Sequence, residues 1–334
     1  MNNEMINSNN GEPLFIEDDL SPLCIDLTSD RPNKNGGLSY QKKYTHDLNI
    51  KLVHDYYKNE YNIILPKDTK VIFGAGTTMM IISLYYALQK KLKKNITIST
   101  NTKVFYTLHK KLAELLKNII WTDINSTADL AVIVSPSNPL GKLTNIKDIK
   151  QKYILYDLVY DRALFTGKFE TVNKDLYDEF NVNKKIFITN SFSKLGIPGV
   201  RCGFLITRDK KIADYCNEYI DIVSIKYPTA SIAIGRIAYY KYFKNHEWNL
   251  KYNIIINKRR IQFIELSKKH NIKILNDTFL IPFIYTNKSV NWWIKNFNIK
   301  TRCGSDFNDT KKNSRLNLML SNDSWKEFIK RFSK

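Results

Sequence analysis

The sequence predicts an α/β chain, with a mostly parallel sheet that carries helices on both faces and a smaller α+β domain beside it. Three observations carry this. Short apolar runs start near positions 70, 96, 130, 153 and 186, separated by helical patterns or longer connections, which is the rhythm of parallel strands. Gly74, Asn138, Asp157 and Ser191 sit just past the ends of such runs, where sheets of this kind hold their ligands. Beyond residue 230 the pattern changes to long isoleucine-, tyrosine- and lysine-rich helix followed by short strands and tryptophan-bearing segments.

In chain order, residues 1–10 are polar and are expected to form a disordered tail. Leu48, Leu52, Val53 and Tyr56 have helical spacing. Lys70 to Phe73 is a strand, and Gly74-Ala75-Gly76-Thr77-Thr78 turns directly into a helix from Met79 to Leu92. Glycines there let the backbone approach an anion, the first helical amides point at it, and Thr77 and Thr78 either cap the helix or bind phosphate. A plain capped turn would use the same residues. Ile96 to Thr100 is the next strand, and a helix is expected over 102–116, running through Phe105 and Tyr106.

Leu130 to Val134 is a buried strand ending in Ser135-Pro136-Ser137-Asn138-Pro139-Leu140-Gly141, a sequence that also suits an ordinary turn. Tyr153 to Tyr156 is another, closed by Asp157, with Tyr160 three residues on. A carboxylate at the end of an apolar strand needs a partner. Ile186 to Thr189 leads into Ser191-Phe192-Ser193-Lys194, after which Gly196, Pro198 and Gly199 forbid a helix before Arg201. The link to the run at 203–207 therefore holds no crossover helix, and that strand is expected to lie antiparallel to its neighbour.

Leu280 to Tyr285 and Ser314 to Leu320 read as strands of the smaller domain. Alternating leucines in the second put Arg315 on the opposite face, toward a cleft, unless it is a rim residue of an edge strand. A last helix capped near 322–324 buries Trp325, Phe328, Ile329 and Phe332, and Trp292, Trp293 and Phe297 join the same core. The larger domain spans 45–229, and the smaller combines 11–44 with 230–334.

With 334 residues, 43% of them apolar, the chain can bury a sizeable core. No apolar run approaches the length that spans a bilayer, and the polar N-terminus resembles no signal segment, so a soluble cytoplasmic protein is expected. Cys24, Cys202, Cys216 and Cys303 have no metal-ligand or redox spacing and are expected to be reduced. The net charge of +20 comes mainly from lysine spread along the chain. Specific readers of nucleic acid lean on arginine. Runs such as Lys90 to Lys94 and Lys258 to Arg260 therefore read as solvated helix faces, with neither a specific nucleic-acid partner nor a membrane implied.

The chemistry concentrates at Lys194. A lysine at the end of a buried strand, with Ser191, Ser193 and Arg201 around it, could form a Schiff base with an aldehyde cofactor that carries a phosphate. A polar loop with a solvated lysine is the plainer alternative.

The run SFSKLGIPGVRCG resembles the lysine loop of fold-type I pyridoxal phosphate (PLP) enzymes, the aspartate aminotransferase superfamily, and most of all that of valine–pyruvate aminotransferases. The resemblance implies PLP as cofactor, held on Lys194 as an internal aldimine, with Ser191, Ser193 and Arg201 on its phosphate together with the turn at Gly76, Thr77 and Thr78. Asn138 to Gly141 matches the family's Asn-Pro-x-Gly, whose asparagine bonds the 3-oxygen of the cofactor ring. Asp157 matches the aspartate on the pyridine nitrogen, and Tyr160 the tyrosine on the ring oxygen. Phe105 is the best match for the aromatic stacked on the ring, with Tyr106 the alternative.

The Arg315 segment resembles the C-terminal Arg-Leu-Ser-Leu of alliinases and tryptophan aminotransferases, and implies that Arg315 binds the substrate carboxylate. Asp30 stands where the family places a glycine beside that carboxylate. The activity implied is transamination between an L-amino acid and a 2-oxo acid, in a homodimer to which Tyr40 or Tyr44 could cross. An alliinase-like PLP lyase and a non-catalytic PLP-fold sensor are the alternatives.

Overall fold

Alternate residues of the buried strands face two different apolar layers, which explains why these strands read as unbroken apolar runs. The structure, a computed structural model, describes residues 5–9, 43–124, 126–161, 173–224, 228–244, 247–276 and 280–334. Its elements in chain order are β1 (Ile6–Asn7), α1 (Lys43–Tyr61), β2 (Lys70–Ala75), α2 (Gly76–Leu92), β3 (Ile96–Ser99), α3 (Leu108–Glu114) and β4 (Ile119–Thr122). Next come β5 (Leu130–Val134), β6 (Tyr153–Asp157), α4 (Lys174–Phe180), β7 (Ile186–Ser191), β8 (Cys202–Thr207), α5 (Lys210–Ser224), α6 (Thr229–Ala238) and α7 (Glu247–Lys269). The chain closes with β9 (Phe283–Thr286), α8 (Val290–Phe297), β10 (Ile299–Lys300), β11 (Arg302–Cys303), β12 (Ser314–Asn317) and α9 (Asn322–Phe332).

Seven strands form one sheet in the order β2-β8-β7-β6-β5-β3-β4. All run parallel except β8, which is antiparallel to both β7 and β2, as the helix-free link before it requires. Val71, Phe73, Ile133, Tyr156, Ile188 and Phe204 pack into one layer, while Ile72, Val132, Leu155, Phe187 and Leu205 pack into the other. Each fully buried side chain of this size contributes roughly 1.5–3 kcal/mol.

A third apolar cluster unites Ile6 with residues of α7, β9, α8, β12 and α9, including Phe263, Trp293, Leu316, Trp325, Phe328 and Phe332. Tyr160, from beyond β6, belongs to it too, so the strand ends of the large sheet meet this second core directly. Beside it β9, β12 and β11 form an antiparallel sheet. Ser321 caps α9 by accepting the Ser324 amide at 3.2 Å.

Three expectations change. Residues 5–9 are not a free tail: β1 pairs with β10, and the Ser8 amide donates to the Lys300 carbonyl at 2.7 Å. The helix expected over 102–116 begins only at Leu108. The amides of Phe105 and Thr107 instead donate to the carbonyls of Phe307 and Asp306, both at 3.0 Å, which holds the stretch before Leu108 irregular. Within the run 258–260 only Lys258 is solvated. Arg259 and Arg260 are buried, Arg259 donating to the carbonyls of Leu318 and Leu320 and Arg260 to that of Ile281. Cys202 and Cys216 are buried free thiols and Cys303 an exposed one, whereas Cys24, Asp30 and Tyr40 lie outside the described residues, as does the Tyr44 side chain. No helix among the described residues is long and apolar enough to cross a membrane.

Candidate active site

A cavity of about 330 Å³ opens at the carboxyl ends of β5, β6 and β7. Lys194, Asp157, Asn138, Tyr160, Ser191, Ser193, Thr77 and Arg201 line it, all expected from sequence. Tyr106, His109 and Arg302 line it as well.

Lys194 sits on a 3-10 turn, Phe192–Leu195, whose two ends are buried in the sheet's apolar layer. Ser191 at the end of β7 opens the turn by accepting the Ser193 amide at 3.3 Å, and Gly196, with φ of 109°, closes it in a conformation that side chains resist. The anchoring of Phe192 and Leu195 turns Ser193 and Lys194 toward the cavity. The Lys194 ammonium lies 5.7 Å from the centre of the Tyr160 ring.

Arg201 follows the turn and spans back to β2, donating from Nη2 to the Ala75 carbonyl at 3.4 Å and from Nη1 to the Pro198 carbonyl at 3.2 Å. A Cβ on Gly76 would collide with the Arg201 guanidinium, and Gly76 also takes φ of 77°, so glycine is required twice over. The helix α2 starts at Gly76, with no side-chain cap. Thr77 and Thr78 are therefore first-turn residues; Thr77 lines the cavity, and neither Thr78 nor Gly76 does. First-turn amides beside a guanidinium make a ready anion cradle.

Asp157, the last residue of β6, is buried. Its Oδ1 accepts the Val159 amide at 3.3 Å and its Oδ2 lies 3.3 Å from His109 Nε2. His109 is also buried, and its Nδ1 has no hydrogen-bond partner. Sequence reasoning missed this histidine; the usable signal was its place three residues after Tyr106, at the head of a helix.

Asn138 follows the cis Ser135–Pro136 bond and precedes its own cis bond to Pro139. The loop is tied from beneath: Ser135 Oγ donates to Asn173 Oδ1 at 2.7 Å, and Asn173 in turn donates to the buried Asp161 carboxylate, which also accepts from the Tyr177 hydroxyl. Asn138 Nδ2 reaches the Tyr160 hydroxyl at 3.5 Å, and burial drives the Tyr160 phenol pKa well up, Arg315 pulling the other way.

Arg315 is placed differently from the expectation of an open cleft face. It is buried, its Nη1 donates to Asn138 Oδ1 and its Nη2 to the Asn9 carbonyl, both at 3.0 Å, and its Nε has no partner. Its guanidinium lies 3.9 Å from the Phe283 ring centre, and burial lowers its pKa to about 10, which leaves it cationic at neutral pH. It thus stands behind Asn138 and is not among the residues lining the cavity.

Phe105, the first choice for the ring-stacking aromatic, is buried against Trp121 at 5.3 Å, while Tyr106 faces the cavity. The cause is the pair of backbone bonds to residues 306 and 307, which fix the orientation of this stretch.

The sequence profile for aminotransferase class I and II matches residues 4–332. An aspartate aminotransferase of Sulfurisphaera tokodaii is 26% identical over 191 residues, a match spanning 53% of this chain and 46% of that protein's length. Among solved structures, an aspartate aminotransferase double mutant from Thermus thermophilus superposes with a TM-score of 0.76 at 12% identity, over 99% of this chain and 91% of that one. An aromatic aminotransferase from Pyrococcus horikoshii OT3 gives a TM-score of 0.75 at 13% identity, over 98% and 95%. The structural likenesses speak for the fold, and the profile for the family: this chain belongs to the aminotransferase class I and II family.

Proposed function

We propose that this chain is a PLP-dependent aminotransferase that moves an amino group between an L-amino acid and a 2-oxo acid. The observation that carries the reading is the convergence of Lys194, Asp157, Asn138, Ser191, Ser193 and Arg201 on one cavity at the strand ends. The residues present fit the cofactor. A buried carboxylate held by a histidine suits a pyridinium nitrogen, and Thr77 on the first turn of α2, beside Arg201, suits a phosphate.

PLP supplies an electron sink for the substrate's α-carbon. Asp157, with His109 holding its Oδ2, would keep a proton on the ring nitrogen. Asn138 and Tyr160 would hydrogen-bond the ring oxygen, and Thr77, Ser191, Ser193 and Arg201 would hold the phosphate. Thr78 sits behind Thr77 on the first turn. Tyr106, which lines the cavity where Phe105 does not, would be the aromatic available to the ring. Lys194 Nζ would hold the cofactor through its aldehyde, and as a free amine it would be the base within reach of the substrate's α-proton.

Arg315 binds the α-carboxylate of both substrates from its position behind Asn138. Arg315→Ala is expected to raise KM for amino acid and oxo acid alike, by about tenfold to a hundredfold for loss of hydrogen bonds between charged groups. Cofactor titration should show PLP still bound. A variant with unchanged KM values would remove Arg315 from the substrate site.

The test of the reaction itself is to mix enzyme with amino acids and no oxo acid. Transamination converts bound PLP stoichiometrically to pyridoxamine phosphate and stops. Continuous release of ammonia and pyruvate from cysteine derivatives would instead assign a lyase.

The domain division read from sequence, 45–229 for cofactor and 11–44 with 230–334 for the small domain, is supported by the separate apolar cluster built largely from residues beyond 250. A homodimer, usual in the family, and a reducing cytoplasmic setting, which suits the free Cys202 and Cys216, complete the proposal.

A further inference from the structure

Asp161 stands next to Tyr160 in the chain, is 1% exposed, and is not among the residues lining the cavity. Burying a carboxylate is costly unless donors meet it. Here Oδ1 accepts from Asn173 Nδ2, and Oδ2 accepts from the Tyr177 hydroxyl at 3.0 Å. A carboxylate accepts on both oxygens. It therefore fixes which way the Asn173 amide points: the nitrogen faces Asp161, and the oxygen is left for Ser135. Asn173 Oδ1 accepts from Ser135 Oγ at 2.7 Å, and Nδ2 also donates to the Ser135 carbonyl at 3.0 Å. With its proton given to Asn173, Ser135 Oγ can only accept, and it accepts the Thr144 amide at 3.3 Å. One buried acid thus sets the direction of three successive hydrogen bonds.

Ser135 and Thr144 are the two ends of the loop that carries Asn138, so their bond closes that loop at its base. Nearer the tip, the Ser137 amide donates to the Lys142 carbonyl at 2.8 Å, and the Lys142 amide to Ser137 Oγ at 3.0 Å. On the other side, the Asp161 amide donates to the Leu158 carbonyl at 2.9 Å and closes the turn that contains Tyr160. Asn138 and Tyr160 are therefore held from the same residue by two routes, one through side chains and one through the backbone. The contact between them, Asn138 Nδ2 to the Tyr160 hydroxyl, is 3.5 Å. That is the long limit for a hydrogen bond, so a displacement of the loop by a few tenths of an ångström breaks it.

Resting on the aminotransferase reading, we propose that Asp161 is a positioning residue that acts through Asn173 and Ser135 to hold the Asn138 loop in register with Tyr160, so that both reach the ring oxygen of the cofactor. Asp161 touches neither cofactor nor substrate. Its effect is on where two donors stand, and it arrives at the cavity through the three bonds above. Tyr177 is bound to the same carboxylate on the side away from Asn173 and supplies an internal comparison.

The experiment compares wild type with Asp161→Asn, Ser135→Ala, the double variant, and Tyr177→Phe. Asp161→Asn keeps the shape but no longer forces the direction of the Asn173 amide. Ser135→Ala removes one hydroxyl and cuts the chain at its loop end, so it carries the test if Asp161→Asn does not fold. Hydrogen–deuterium exchange of the apoprotein reads the loop without any cofactor. Amides of residues 135–144 should exchange about threefold to tenfold faster in Asp161→Asn and in Ser135→Ala, the loss of about one hydrogen bond. The double variant should exchange no faster than the faster single, because groups in one chain are not additive. Tyr177→Phe should lower the thermal midpoint and leave exchange at 135–144 near wild type.

The PLP-loaded proteins give the second readout, the pH midpoint of the cofactor's visible absorbance. Donors to the ring oxygen favour its deprotonated form, so loosening them should move the midpoint upward, by about half a unit or more in Asp161→Asn and Ser135→Ala. Turnover should fall about threefold to tenfold in the same two variants. A lower thermal midpoint with wild-type exchange at 135–144 and an unmoved absorbance midpoint would make Asp161 purely structural and overturn the proposal. Additive effects in the double variant would overturn it too, as would a Tyr177→Phe variant that moves the cavity readouts as far as Ser135→Ala. A wild type that takes up no PLP, with exchange at 135–144 still dependent on Asp161, would overturn the aminotransferase reading while leaving the tie between Asp161 and the loop standing.

Discussion

Lys194→Ala is expected to reduce turnover by at least about four orders of magnitude, because on the proposed function one substitution removes both the nucleophile that would hold the cofactor and the base that would move the α-proton. The fold should survive. The turn that carries Lys194 is held by Phe192 and Leu195, both buried, and by the Ser191 cap, none of which involves the lysine side chain. The thermal midpoint of the apoprotein should therefore move little, since a partly exposed side chain away from the core rarely changes stability by more than about 0.5 kcal/mol. The covalent assignment is checked separately. Borohydride treatment of the PLP-loaded wild type should fix the cofactor on the peptide containing Lys194, and Lys194→Ala should show no fixed cofactor at all. Label on another lysine, or a variant that still turns over, would disprove the assignment.

How much of this could be read without coordinates depended on whether a residue's role was local. The buried strands were legible because both faces of the sheet are covered, so Ile186 to Thr189 and Leu130 to Val134 appear as apolar runs. The cavity-lining Asn138, Asp157 and Ser191 were legible because they stand at or just past the ends of those runs. The antiparallel β8 was legible from a missing helix. The half-exposed edge strand β4, Ile-Ile-Trp-Thr, carries an apolar run too short to stand out and escaped notice.

What could not be read locally was set by contacts across the chain. The carbonyls of residues 306 and 307 decide that Tyr106 and not Phe105 faces the cavity, some two hundred positions away in sequence. The stacking of Phe105 on Trp121 is likewise invisible from a window around 105. Arg302 needed the register of β11 against β12, which depends on how the intervening turn closes. Arg259 and Arg260 looked like solvated charge because nothing nearby in sequence announces the strand-end carbonyls they satisfy.

Asp157→Ala is the second large effect, and its value lies in separating chemistry from structure. As a structural carboxylate, Asp157 makes modest contacts: one backbone amide at 3.3 Å and the His109 ring at 3.3 Å. Losing contacts of that kind costs about 1–3 kcal/mol, which would lower the thermal midpoint and leave turnover of the folded fraction intact. As the partner of a protonated ring nitrogen, Asp157 is half of a buried ion pair, and removing one half costs about 3–5 kcal/mol. Spent in the transition state, that loss slows turnover by roughly two to four orders of magnitude. The geometry favours the second account. The carboxylate lines the cavity that Lys194 also lines, and the His109 ring holds its Oδ2, an arrangement that suits a carboxylate presented to a ligand rather than to the core. His109→Ala should then reproduce a fraction of the Asp157→Ala loss in kcat while PLP still binds, because the carboxylate remains but is no longer held. If Asp157→Ala instead melts earlier and turns over normally, the pair is a structural one, and the electron sink must be sustained by some other group.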